Sequence, residues 1–170
     1  ERAVYNYQAM MSYLSRLEFV IMASTKLGIE WGESGDDYGT LGNIKYYEQF
    51  NALKKEGKTD AVIDNGGAIY GTYKMPCQMF QLLESPQDSS GLPFKITNRG
   101  NEIYESRQKH VAKGQLIKYI TDGGTLNIDI IRKEGKFFSL NGLSDKENAG
   151  EKQLLEECFF TSILTDDGVY

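Results

Sequence analysis

Residues 4–27, VYNYQAMMSYLSRLEFVIMASTKL, contain neither proline nor glycine. Met10, Tyr13, Leu14, Leu17, Val20, Ile21 and Ser24 nearly follow the three-four spacing that puts side chains on one face of a helix. A helix of that length buries its stripe only if other elements wrap it, so the segment predicts a central helix with the rest of the chain built around it. The glycine-rich, acidic stretch that follows, GIEWGESGDDYGTLG, predicts a loop.

From Leu41 to Glu56, Ile44, Tyr47, Phe50 and Leu53 recur every three residues, which predicts a second helix stopped by Gly57. TDAVID has the composition of a short edge strand, and NGGAIYG that of a turn. Thr72–Ser85 predicts a third helix, with Pro76 in its first turn and Met75, Met79, Leu82 and Leu83 as a core stripe. A strand from Phe94 to Thr97 leads into a fourth helix capped by the Thr97 hydroxyl, with Ile103, Tyr104 and Val111 on its buried side. Beyond Gly114, QLIKYIT fits a helical turn or a strand. Leu126, Ile130 and Ile131 are spaced for a helix. In the last helix Ser144 and Glu147 form a capping box ahead of the stripe Leu154, Leu155, Cys158 and Phe159.

Charge narrows the functional classes. The net charge is −5, which is not the footprint of a strongly basic nucleic-acid binder. Its distribution is uneven. Residues 41–118 carry eleven Lys/Arg against eight Asp/Glu, while residues 119–170 carry five against ten. Cys77 and Cys158 stand far apart with a single histidine, His110, so no zinc site is expected and both cysteines are read as small core residues in a reducing, cytoplasmic setting. No secretory signal is apparent and no apolar run reaches membrane-spanning length, so no membrane partner is expected. The chain opens on Glu1 instead of Met, as a processed or excised chain would.

FKITNRGNEIYES, Phe94 to Ser106, resembles the wing exit of MarR- and PadR-type winged-helix proteins, in which the last wing strand runs into Ile/Leu-Thr, two polar residues and a glycine. Ile96, Thr97, Arg99 and Gly100 stand at those positions, Gly100 allowing close packing against the wing. The resemblance spans about 60 residues, Leu41 to Lys109. It implies a mainly α (α+β) fold: a winged-helix core over residues 1–112 with a small β-hairpin wing, and a helical extension over residues 113–170, either separate or part of the same domain. It also implies a non-catalytic domain whose partner is double-stranded DNA. Lys74, Lys95, Arg99 and Arg107 would contact phosphates, Tyr73 and Gln78 would approach bases, and Thr72, Gln87, Ser89 and Ser90 would lie nearby. One lysine and two glutamines on the third helix are few for base reading, so docking to a protein partner or a second copy is the alternative.

Catalytic templates are sparse. Asp122 and Glu134-Gly135-Lys136 have the spacing of a metal-dependent nuclease, in which two carboxylates hold a cation and the lysine orients a water. His110 lies among lysines with no nucleophile elbow before it, Asp36-Asp37 lack further ligands, and GGAIYG lacks the Gly-Lys-Ser/Thr of a phosphate loop. No enzyme activity, metal or cofactor is expected.

Overall fold

The computed structural model describes residues 7–36, 40–60, 68–85, 94–144 and 146–164. Its first helix, α1 (Tyr7–Glu30), is the axis of the fold. Met11, Ser15, Glu18, Phe19, Val20, Met22, Ala23, Ser24, Thr25 and Leu27 are all buried. These positions cover more than one stripe of the helix, so α1 is surrounded, as its sequence predicts, and the burial extends past the expected apolar face.

Helix α2 (Tyr47–Glu56) ends at Gly57, whose φ of 72° is the left-handed cap that glycine supplies without a Cβ clash. Phe50 and Leu53 are buried as expected, but Ile44 is 95% exposed. The reason is that residues 41–46 form turns, so Ile44 does not share the helical face of Phe50. Tyr46 replaces it, its ring meeting Phe19 edge-on at 5.6 Å between centroids.

Strand β1 (Lys58–Asp60) is reached directly from Gly57. After it come α3 (Ala68–Met79), β2 (Leu83–Glu84), β3 (Lys95–Ile96) and α4 (Asn98–Val111). The chain then adds α5 (Gln115–Asp122), β4 (Thr125–Asn127) and α6 (Ile128–Glu134). Three short 3-10 turns, Gly135–Phe137, Leu140–Ser144 and Lys146–Asn148, lead to α7 (Ala149–Leu164). The protein is thus mainly helical, with two small antiparallel sheets among the described residues, the class the sequence predicts.

The sheets connect distant pieces. β2 pairs with β3 as a hairpin beside α3, Leu83 opposite Ile96. β1 pairs instead with β4, placing Thr59 opposite Leu126. Leu126 is therefore a strand residue, contrary to its helical spacing. Residues 125–131 switch from strand to helix at Asn127, whose side-chain oxygen accepts the Asp129 amide at 2.9 Å.

The core unites Phe19, Val20, Met22, Ala23 and Leu27 with Tyr46, Phe50 and Leu53, and with Leu116, Tyr119, Ile120, Leu126 and Ile131. Residues of 115–131 are thus integral to the same core as α1 and α2, and a boundary at residue 112 would cut it. Each large apolar side chain hidden this way contributes about 1.5–3 kcal/mol. Arg16 ties α1 to α5 by donating from Nε to the Ile120 carbonyl at 2.7 Å and from Nη2 to the Thr121 carbonyl at 2.9 Å, satisfying the carboxyl end of α5. Among the described residues, none between 68 and 110 belongs to the core cluster. The segment α3–β2–β3–α4 is an excursion docked on the outside.

Three local expectations change accordingly. Ala68–Gly71, expected as a turn, begin α3, and Pro76 stands near that helix's end. Met75 and Met79 are 61% and 70% exposed because α3 meets the molecule through its other side. Tyr104 is likewise exposed, whereas Val111 is buried. The side chains of Ser144 and Glu147 lie outside the described residues, and α7 starts after both.

Candidate nucleic-acid interface

The surface that the sequence singles out starts where α3 stops. Gln81 has φ 57°, an uncommon conformation for a residue with a Cβ. The Gln81 amide donates to the Gln78 carbonyl at 3.0 Å and the Leu82 amide to the Cys77 carbonyl at 2.8 Å. Those two bonds make a Schellman cap, normally built on glycine. The helix thus ends at Met79, and the next residues are free to form β2.

Thr97 anchors the far side of the hairpin. Its hydroxyl accepts from the Gly100 amide at 3.1 Å, capping α4 as expected, and donates to the Gln81 carbonyl at 2.6 Å. Its amide donates to the Leu82 carbonyl at 3.1 Å. A Cβ on Gly100 would lie 2.3 Å from that same Leu82 oxygen. The Thr-x-x-Gly spacing is therefore a joint: threonine caps the helix and glycine lets the helix touch the preceding turn.

The joint leaves a cleft of about 610 Å³, lined by Gln78, Gln81, Glu84, Lys95, Asn98 and Arg99 together with Leu83, Ile96 and Thr97. Three expected site residues, Gln78, Lys95 and Arg99, are brought together here. Asn98 and Arg99 begin α4, where free amides and the helix dipole favour an anion. The Lys95 ammonium lies 3.7 Å from Glu84, both side chains being more than half exposed, so the pair is weak and open to exchange. Gln78 donates to the Ser85 hydroxyl at 3.1 Å.

The other three expected residues sit elsewhere. Lys74 rests over the Tyr70 ring at 5.5 Å, and Tyr70 in turn meets Phe94 at the start of the hairpin strand. Tyr73 points toward an apolar groove with Ile21, Leu41 and Leu140. Arg107 is engaged by Glu151 of α7 and the Phe137 carbonyl. Thr72 is exposed on α3, and Gln87, Ser89 and Ser90 lie outside the described residues. Asn98, Gln81 and Glu84 line the cleft without having been singled out. Asn98, directly after the capping threonine, carried the readable signal.

The nuclease spacing does not assemble. Glu134 accepts the Leu116 amide at 2.9 Å and so caps the amino end of α5, while Asp122 is the last residue of that helix. The six-residue step from Leu116 to Asp122 holds them about 9 Å apart along the helix axis, too far to share a cation. Among the described residues no group of His, Cys, Asp and Glu could hold a metal ion. His110 stacks on Phe137 at 5.2 Å. Asp37 lies outside the described residues, and the Asp36 carbonyl faces Asn141. Cys158 is buried and Cys77 half-buried; burial pushes both thiols up from their ordinary value.

Among the described residues no helix is long and apolar enough to cross a membrane. No protein-family model, no curated protein and no solved structure matches the chain.

Proposed function

We propose that this chain is a non-catalytic DNA-binding module that grips a duplex backbone between its hairpin and the amino end of α4. The observation that carries this reading is the convergence of Gln78, Lys95 and Arg99 on one cleft, joined there by Asn98 at a helix start. Lys95 and Arg99 supply charge, Asn98 and the first amides of α4 supply donors to a phosphate oxygen, and Gln78 lies closest to a base edge. The hairpin acts as the wing. Tyr73, Lys74 and Arg107 are not counted among the contacts, because they lie outside that cleft.

The test is fluorescence anisotropy of a labelled mixed-sequence duplex across a salt series. Two or three neutralised phosphates predict a log-log slope of about −2 to −3. Arg99→Glu and Lys95→Glu each lower affinity at least tenfold at low salt. Absence of binding at low salt overturns the reading and leaves docking to protein, which the exposure of Met75 and Met79 favours.

A further inference from the structure

We infer that α3 and α7 together form a two-fold interface through which two copies of this chain associate. The inference is independent of DNA binding and uses none of the residues that line the cleft. Around α3, the hairpin side carries Tyr70, Lys74 and Gln78, four residues apart. Met75 and Met79 form the next stripe, and Phe80 turns toward α7. The Phe80 ring meets Phe159 at 5.6 Å, and Phe159 meets Phe160 at 5.9 Å. Phe80, which follows Met79 directly, thus links the end of α3 to the exposed phenyl rings of α7.

Its size sets the kind of partner. Met75, Met79, Phe159 and Phe160 are 61%, 70%, 49% and 61% exposed. At about 200 Å² per side chain they present roughly 450–500 Å² of apolar surface. That lies in the range of the largest apolar patch on a monomer, which is often a functional surface. It also matches the apolar share, about 57%, of the roughly 800 Å² that each partner contributes to a standard-size reversible contact.

Charge then selects a second copy. One border of the apolar surface is basic, with Lys74 on α3. The other is acidic, with Glu156 and Glu157 on α7 next to Phe159 and Phe160. A two-fold axis through Met79 would bring each Lys74 to the partner's acidic border and bury the methionines against the partner's phenyl rings. A face that is basic on one side and acidic on the other complements itself in this way. The exposed Lys152–Glu156 contact at 3.9 Å is loose enough to give way to it.

The experiment is sedimentation velocity on the full chain from about 1 to 100 µM, with far-UV circular dichroism to verify folding. The expected result is a reversible dimer in the micromolar range. Met79→Asp and Phe160→Asp, both at exposed positions, each raise its dissociation constant at least tenfold. Lys74→Glu and Glu156→Lys each weaken it severalfold, and the two together in one chain restore it, because the swapped charges again face each other. A monomer throughout that range overturns the inference, as does a dimer indifferent to Met79→Asp and Phe160→Asp. Because Lys95 and Arg99 are untouched in these variants, the duplex titration can succeed or fail separately.

Discussion

Arg107 and Glu151 meet in a two-pronged contact, Nε 2.7 Å from Oε2 and Nη2 2.7 Å from Oε1. Arg107 also donates to the Phe137 carbonyl, so one guanidinium holds α4, α7 and the 3-10 turn after α6 together. The side chains are 23% and 9% exposed, which makes this an ion pair largely withdrawn from water. Removing one partner strands the other charge. Arg107→Ala is expected to cost about 3–5 kcal/mol, and the double replacement Arg107→Met with Glu151→Leu much less. Urea unfolding of the three variants measures this, and a single variant as mild as the double one would show that the pair is not withdrawn from water.

Gln81 is held in a backbone conformation that glycine adopts freely. Gln81→Gly is therefore expected to stabilise the cap of α3 by about 0.5–1 kcal/mol, even though it deletes a side chain from the cleft. The gain should be visible as a higher unfolding midpoint and as slower amide exchange at Leu82. A loss of stability would mean that the Gln81 side chain holds the turn.

Glu84 faces Lys95 across the hairpin and is the acidic residue lining the cleft. If that cleft receives phosphate, Glu84→Gln removes both a repulsion and a competitor. Duplex affinity at low salt should rise severalfold, and the salt slope should steepen by close to one phosphate. Unchanged binding would place the phosphate elsewhere.

Alkaline conditions are expected to weaken the fold. Burial raises the Tyr13 and Tyr46 phenols, with the Glu18 charge adding to Tyr46, and burial likewise raises the Cys77 and Cys158 thiols. All four are held protonated in the native state, whereas the unfolded chain releases its protons near the ordinary values of 9.0 for the thiols and 10.0 for the phenols. The unfolded state then binds fewer protons above about pH 9, so stability is complete below that pH and declines above it. Urea midpoints at about pH 7.5 and pH 10.5 test the sign, and Tyr46→Phe should flatten the decline. Equal midpoints would contradict it.

The parts of this architecture that could be read in the sequence are those with a local cause. The unbroken run before Gly28 makes α1, Gly57 ends α2, and Thr97 with Gly100 makes the joint under the hairpin. The parts that could not be read depend on what comes near. Leu126 fits a helical spacing, but its partner is Thr59, whose position in space no local pattern announces. Met75 and Met79 look like a core stripe, and only the outward placement of α3 exposes them. The extension of α3 to Ser85 failed because Gln81 does the work of a glycine. In the site, the cluster of Gln78, Lys95 and Arg99 follows from the hairpin and was legible. The commitment of Arg107 to Glu151 needs the return of α7 and was not.

The pairing of β1 with β4 sets the order in which a ribosome can deliver this protein. Asp60 waits 65 residues for Thr125, about 3–13 s at ordinary rates of synthesis. For most of that interval Phe19, Leu27 and Leu53 have no α5 to cover them, and β4 and α6 come only at its end or after it. The whole α3–hairpin–α4 segment emerges within it. The proposed DNA-binding surface is therefore synthesised before the support that will carry it exists. A nascent chain stalled before residue 116 would present its central helix to any chaperone that recognises bare apolar surface.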